Sequence, residues 1–170
     1  MNTKDLIVFS MLPGIGNSII KDIVLKNEFT ELIELKENFL ANKYKIPKLK
    51  NIDQFKNALI NIKKYEDKCE EVYEQCHENK ISIISLTDKN YPNKFKTIKD
   101  MPSILYVKTK QKSNLDWPEN ENIGIVGSRD ANKEVLDWTF QIAKELCNNC
   151  FNVISGLAKG VDTSAHMGSL

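Results

Sequence analysis

The sequence predicts an α/β fold: a small all-helical domain, then a parallel sheet domain that is incomplete at its C-terminal end. Three observations lead there. Apolar residues recur at helical spacing through residues 1–64, and β-rich runs begin at Ile81. Near the C-terminus two apolar runs flank a helical stretch, and each stops at a turn of small residues.

Taken in chain order, Leu6–Leu12 is an apolar-rich helix that Pro13-Gly14-Ile15-Gly16 breaks. Asn17 or Ser18 caps the next helix, with Ile19, Ile20, Ile23 and Val24 at helical spacing. Glu31–Phe39 reads as a third helix through Leu32, Ile33, Leu35 and Phe39, and Pro47 marks a turn. Phe55, Leu59 and Ile62 stripe a further helix that is open to continuing through Glu78. The Leu12–Gly16 turn is helix-hairpin-helix-like, a corner that can offer amides to a DNA phosphate. With no cation nearer than Lys21, it reads here as a tight αα-corner whose Leu12 and Ile15 plug the core.

Ile81–Leu86 alternates as a strand, Asp88–Pro92 is a turn, and Ile104–Val107 is a second strand. Lys110–Asn122, with Trp117-Pro118, is polar and reads as a loop. Ile123–Val126, a helix across Lys133–Cys147, and Phe151–Ile154 then form a β-α-β unit, whose right-handed crossover sets the strands parallel and adjacent. That is the beginning of a Rossmann-like sheet. The expected organisation is therefore a helical domain over 1–64, a connecting helix over 65–80 and a Rossmann-like domain over 81–170. The sheet stops part-way into the helix after its second turn, which reads as a fragment or a shortened relative. Its open strand edge invites a homo-oligomer.

The two turns carry the chemistry. Gly127-Ser128-Arg129 and Ser155-Gly156-Leu157-Ala158-Lys159-Gly160 end neighbouring parallel strands and lead into helices. Backbone amides and the positive end of a helix dipole suit an anion there. The candidate phosphate contacts are the amides of Gly127, Gly156 and Gly160, the hydroxyls of Ser128 and Ser155, and the cations of Arg129 and Lys159. Arg129 is the only arginine among 24 basic residues, and its planar fork suits bidentate phosphate contact. Asp162 would repel phosphate and reads instead as the cap of a helix starting near Thr163. His166 reads as packed, and Ser164 has no base near it in sequence. No catalytic residue, metal ligand or cofactor is assigned.

SGLAKGVDTSAHMGSL, preceded by VGSR, resembles the signature of the DNA-processing protein A (DprA/Smf) family. LPGIG, ISIISLTDKNYP and MPSILYVK precede it in that family's order. The resemblance runs from about Met11 to Leu170, although Asn17–Lys80 match only in helical character. It implies a non-enzymatic protein that binds and protects incoming single-stranded DNA in natural transformation. It also implies that the protein loads a RecA-type recombinase, and that the helical domain is like a sterile-alpha-motif module. Arg129, Lys159 and the turn amides would then hold consecutive phosphates, with Lys89, Lys94 or Lys96 tracking the backbone. Two other readings stay open. One is a nucleotide-ligand binder or hydrolase of the lysine-decarboxylase-like (LOG) Rossmann type, whose Pro-Gly-Gly-Gly-Thr motif is absent here. The other is a protein-interaction module alone.

Bulk properties set the bounds. Net charge is +1, but Lys43–Lys64 holds seven lysines against Asp53 alone, and Lys89–Lys112 seven against Asp100 alone. Such segregation can build a basic face on a nearly neutral chain. No apolar run approaches membrane-spanning length, and MNTKDLIVFS lacks a signal peptide's architecture, so the expected location is the cytoplasm. Cys69, Cys76, Cys147 and Cys150 read there as reduced structural thiols, not as a disulfide framework or zinc site.

Overall fold

The computed structural model describes residues 1–26, 29–46, 48–109 and 120–170. Contacts divide the chain into two compact units, Met1–Leu115 and Asp116–Leu170. The turn expected at Pro47 and most of the loop expected over Lys110–Asn122 (residues 110–119) lie outside the described residues. Among the described residues no helix is long and apolar enough to cross a membrane.

The first unit is built around α1, Thr3–Met11, which Asn2 caps by accepting the Asp5 amide at 2.9 Å. Leu6, Ile7, Val8 and Phe9 are all buried, so the middle of α1 is enclosed by its neighbours. Around it stand α2 (Asn17–Leu25), α3 (Leu32–Leu40), α4 (Ile52–Ile60) and α5 (Lys63–Glu78). Phe55 of α4 meets Phe39 edge-on at 4.8 Å and Phe9 at 6.5 Å, which locks three helices onto one aromatic centre. The Leu12–Gly16 corner buries Leu12 and Ile15, and Gly14 supplies the positive φ of +80° that the reversal requires.

Local chemistry corrects two expectations. The helix striped by Phe55 and Leu59 does not run on to Glu78. It stops at Ile60, where the Asn61 side chain donates to the Asn57 carbonyl at 2.9 Å, and α5 restarts at Lys63. Asn17 does not cap α2 but is its first residue. Its Oδ1 accepts the Ser103 amide at 3.1 Å and hydroxyl at 2.9 Å, fastening α2 to the chain entering β2.

Strands β1 (Ile81–Ser85) and β2 (Ile104–Lys108) pair antiparallel, Ile81 opposite Lys108 and Ser85 opposite Ile104. The short α6 (Asn93–Lys96) lies between them. Ile84, Leu86, Tyr91 and Met101 join the same buried cluster as the helices, so hairpin and helices share one core. The change of composition at Ile81 is thus a change from helix to strand, while contacts divide the chain only after Leu115. Asp88 closes the seam: its Oδ2 accepts from the fully buried Ser85, amide at 2.6 Å and hydroxyl at 2.8 Å, and from Thr3 of α1 at 3.4 Å.

The second unit is the expected β-α-β with one helix more. β3 (Asn122–Gly124) and β4 (Asn152–Ile154) pair parallel, Asn122 opposite Asn152 and Gly124 opposite Ile154, in a sheet separate from the hairpin. Between them α7 (Lys133–Asn148) is capped by Asn132, which accepts the Val135 amide at 3.0 Å. At its other end Cys150 takes φ +63°, its amide reaches the Cys147 carbonyl and the Phe151 amide reaches Leu146, a Schellman closure. The last helix, α8 (Val161–Ser169), packs on α7 through small residues, with Ala143 and Ala165 fully buried. A Cβ at Gly168 would lie 2.2 Å from the Phe140 carbonyl oxygen, so only glycine permits that approach.

Candidate phosphate-binding turns

Both turns begin where the parallel ladder ends. The Ile125 amide donates to the Ile154 carbonyl at 2.9 Å, and the Ser155 hydroxyl returns a bond to the Ile125 carbonyl at 2.7 Å. The loops after β3 and β4 are therefore tied together at their roots, as the parallel register demands.

Glycine then lets them interlock. A Cβ at Gly160 would sit 2.4 Å from the Ser128 carbonyl oxygen and 2.7 Å from that of Arg129, and a Cβ at Gly127 would meet both methyls of Val161 at 2.8 Å. The Val161 amide seals the contact by donating to Ser128 at 3.1 Å. The close approach that Gly127 and Gly160 permit here is between the two turns themselves. It brings Gly127, Ser128, Arg129, Lys159 and Gly160 to one place at the carboxyl ends of two strands.

Asp162 departs from its expected role. The helix begins at Val161, so Asp162 stands inside the first turn of α8, is buried, and reaches back instead of capping. Its Oδ2 accepts the amides of Gly156 at 3.1 Å and Ala158 at 3.4 Å. The negative charge gains from the helix dipole and from both donors, which offsets burial. It also removes the Gly156 amide from the set available to an anion. Ser155 likewise spends its proton on Ile125, which leaves its oxygen lone pairs, and Ser128 Oγ accepts the Asp130 amide at 3.1 Å. The amides of Ser128, Arg129, Leu157 and Lys159 donate to no group among the described residues.

Arg129 is exposed, and Lys159 lies 3.7 Å from Asp130 with both side chains more than four-fifths in solvent. A pair so exposed contributes little to stability, roughly 0–1 kcal/mol, and an incoming anion can displace it. Asp130 went unremarked in the sequence, and only the meeting of the two turns gives it a partner. The other hydroxyls and the imidazole are engaged with backbone. Ser164 donates to the Leu136 carbonyl at 2.6 Å, and His166 Nε2 donates to the Ser155 carbonyl at 3.3 Å. A nucleophile with a base beside it is therefore missing from this set.

Leu157 is the residue that sequence reasoning passed over. It holds φ +56°, and 73% of it is exposed. For a non-glycine residue that backbone region costs about 1–2 kcal/mol. Lys89, Lys94 and Lys96 are exposed on the first unit, around α6. Cys69 and Cys76 are buried in that unit, Cys147 is half-buried and Cys150 exposed, all as free thiols.

Residues 82–170 match the family described as DNA recombination-mediator protein A. The chain is similar to the DNA processing protein DprA of Bacillus subtilis, 30% identical over 120 residues that make up 69% of this chain and 39% of the relative. It is similar to Protein Smf of Borreliella burgdorferi, 34% identical over 93 residues, 54% of this chain and 28% of the relative. The X-ray structure of DNA processing protein A (DprA) from Streptococcus pneumoniae shares the fold, with a TM-score of 0.59 at 21% identity. That match covers 99% of this chain and 54% of the other. The chain thus spans well under half the length of these two curated relatives.

Proposed function

The chain belongs to the DNA recombination-mediator protein A family, and we propose that it binds single-stranded DNA through the paired turns, without catalysing a reaction on it. The observation that carries this reading is the interlock at Gly127 and Gly160, which joins two cations and a set of undonated amides at one end of a parallel sheet. In this reading Arg129 clamps one phosphate through its planar fork, and Lys159 leaves Asp130 for another. Ser128, Ser155, Gly127 and Gly160 shape the path, while Gly156 acts through Asp162. Contacts of this kind touch the backbone, so binding depends weakly on sequence and strongly on salt.

In this reading the strand passes to a RecA-type recombinase during natural transformation, in the cytoplasm, with a second copy of the chain as a further partner; membership of a recombination-mediator family supports that setting. Titration with a labelled homopolymer oligonucleotide and, separately, with mononucleotides tests the binding claim. Strand binding that exceeds mononucleotide binding and weakens steeply with salt is expected. Saturable mononucleotide binding with no preference for a strand would transfer the site to the nucleotide-ligand reading.

A further inference from the structure

We propose that Leu157 is a wedge for a nucleobase: its side chain takes the face of a base whose adjoining phosphate lies in the paired turns. The inference rests on the single-strand reading of those turns. Among the described residues, the other non-glycine residues at positive φ have local reasons for it. Asn42, Lys80 and Cys150 close α3, α5 and α7, and just after Lys48 the Leu49 amide donates to the Ile46 carbonyl. Leu157 closes no helix. The amides on either side of it, Gly156 and Ala158, both donate to buried Asp162, so the loop is pinned on both flanks and the left-handed residue between them is held there.

A bulky aliphatic side chain in that backbone region and in water gains nothing for the fold that glycine would not supply with less strain. Strain of this sort persists where a site uses it. The neighbouring turn repeats the chemistry. Val126 is 80% exposed, and the bonds between Ile125, Ile154 and Ser155 set residue 126 beside residue 156 in the continued register. The two turns that carry Arg129 and Lys159 therefore also present two solvated aliphatic side chains. Leucine is among the side chains that insert between bases, and unstacked bases of a single strand offer such faces whatever their identity.

The test compares a homopolymer oligonucleotide with an abasic strand of equal length. Leu157→Gly removes the side chain and relieves the backbone together, so the variant should melt no lower than the parent. It should bind the base-bearing strand about tenfold more weakly, bind the abasic strand unchanged and keep its salt slope. Leu157→Met should restore most of the lost affinity. Arg129→Ala should weaken binding to both strands. If Leu157→Gly weakens both strands equally, or neither while Arg129→Ala still weakens both, the wedge is overturned and the phosphate site stands. If Arg129→Ala changes neither strand, the single-strand reading fails, and the wedge with it.

Discussion

Replacing Gly160 by alanine should pull the two turns apart, and the structure sets the scale. The residue holds φ +91° and ψ −129°, a backbone setting that costs other residues on the order of 1–3 kcal/mol. The new methyl would stand 2.4 Å from the Ser128 oxygen and 2.7 Å from the Arg129 oxygen, both backbone atoms that no side-chain rotation can clear. Relief requires the turns to separate, which stretches the Val161–Ser128 bond, a contact worth about 1 kcal/mol net. A loss of about 3 kcal/mol follows, roughly a hundredfold in the folding equilibrium of the second unit. Denaturant unfolding by circular dichroism reads the total, and hydrogen exchange at the Val161 amide reads the local opening. Gly127→Ala is the informative contrast. Its clash is with the Val161 side chain, so Val161→Ala should relieve it in part. A Gly160→Ala chain with an unchanged unfolding midpoint and unchanged Val161 protection would refute the interlock.

Gly168→Ala should destabilise the α7–α8 contact by about 1–3 kcal/mol, seen as a lower melting temperature, because its Cβ would meet the Phe140 carbonyl oxygen at 2.2 Å. Asp162→Ala should cost about 1–3 kcal/mol by stranding the Gly156 and Ala158 amides, whereas Asp162→Asn keeps an acceptor oxygen and should recover most of it in the same denaturation assay. Stability should fall in alkali. Burial raises Cys69 above its ordinary 9.0 and Tyr73, Tyr91 and Tyr106 above 10.0, so the folded chain holds protons that the unfolded chain releases. The stabilisation is complete below pH 9 and is lost as pH rises through the raised values. Denaturation midpoints that stay level from pH 8 to beyond pH 10, roughly the window of those ordinary values, would contradict this.

Much of the scaffold was legible in the sequence, because periodicity and small-residue punctuation report local chemistry directly. The Pro13–Gly16 corner, the parallel pairing of β3 with β4 and the approach of the two turns follow from residues close to each element. What stayed hidden depends on partners distant in sequence. The β-rich run at Ile81 carried no mark that Ile84 and Leu86 would join the core of α1. Asn17 looked like a cap because its type caps, but Ser103 claims its oxygen. Asp162 has the type and place of a helix cap, but the loop before it supplies the two donors that its carboxylate accepts. Leu157 read as one more apolar residue in a motif, since nothing in a one-dimensional string reports a left-handed backbone.

The central claim is that Arg129 and the turns around it hold the phosphates of a single strand. Fluorescence anisotropy of a labelled homopolymer oligonucleotide, titrated with parent chain and Arg129→Ala across a range of salt, tests it most directly. Both chains must be folded by circular dichroism. The account predicts weaker binding on every base sequence and a log–log salt slope shallower by about 0.7, the share of one single-strand phosphate. Lys159→Ala should act in the same direction, and Arg129→Lys should recover only part. A folded Arg129→Ala chain with the parent's affinity and salt slope would contradict it.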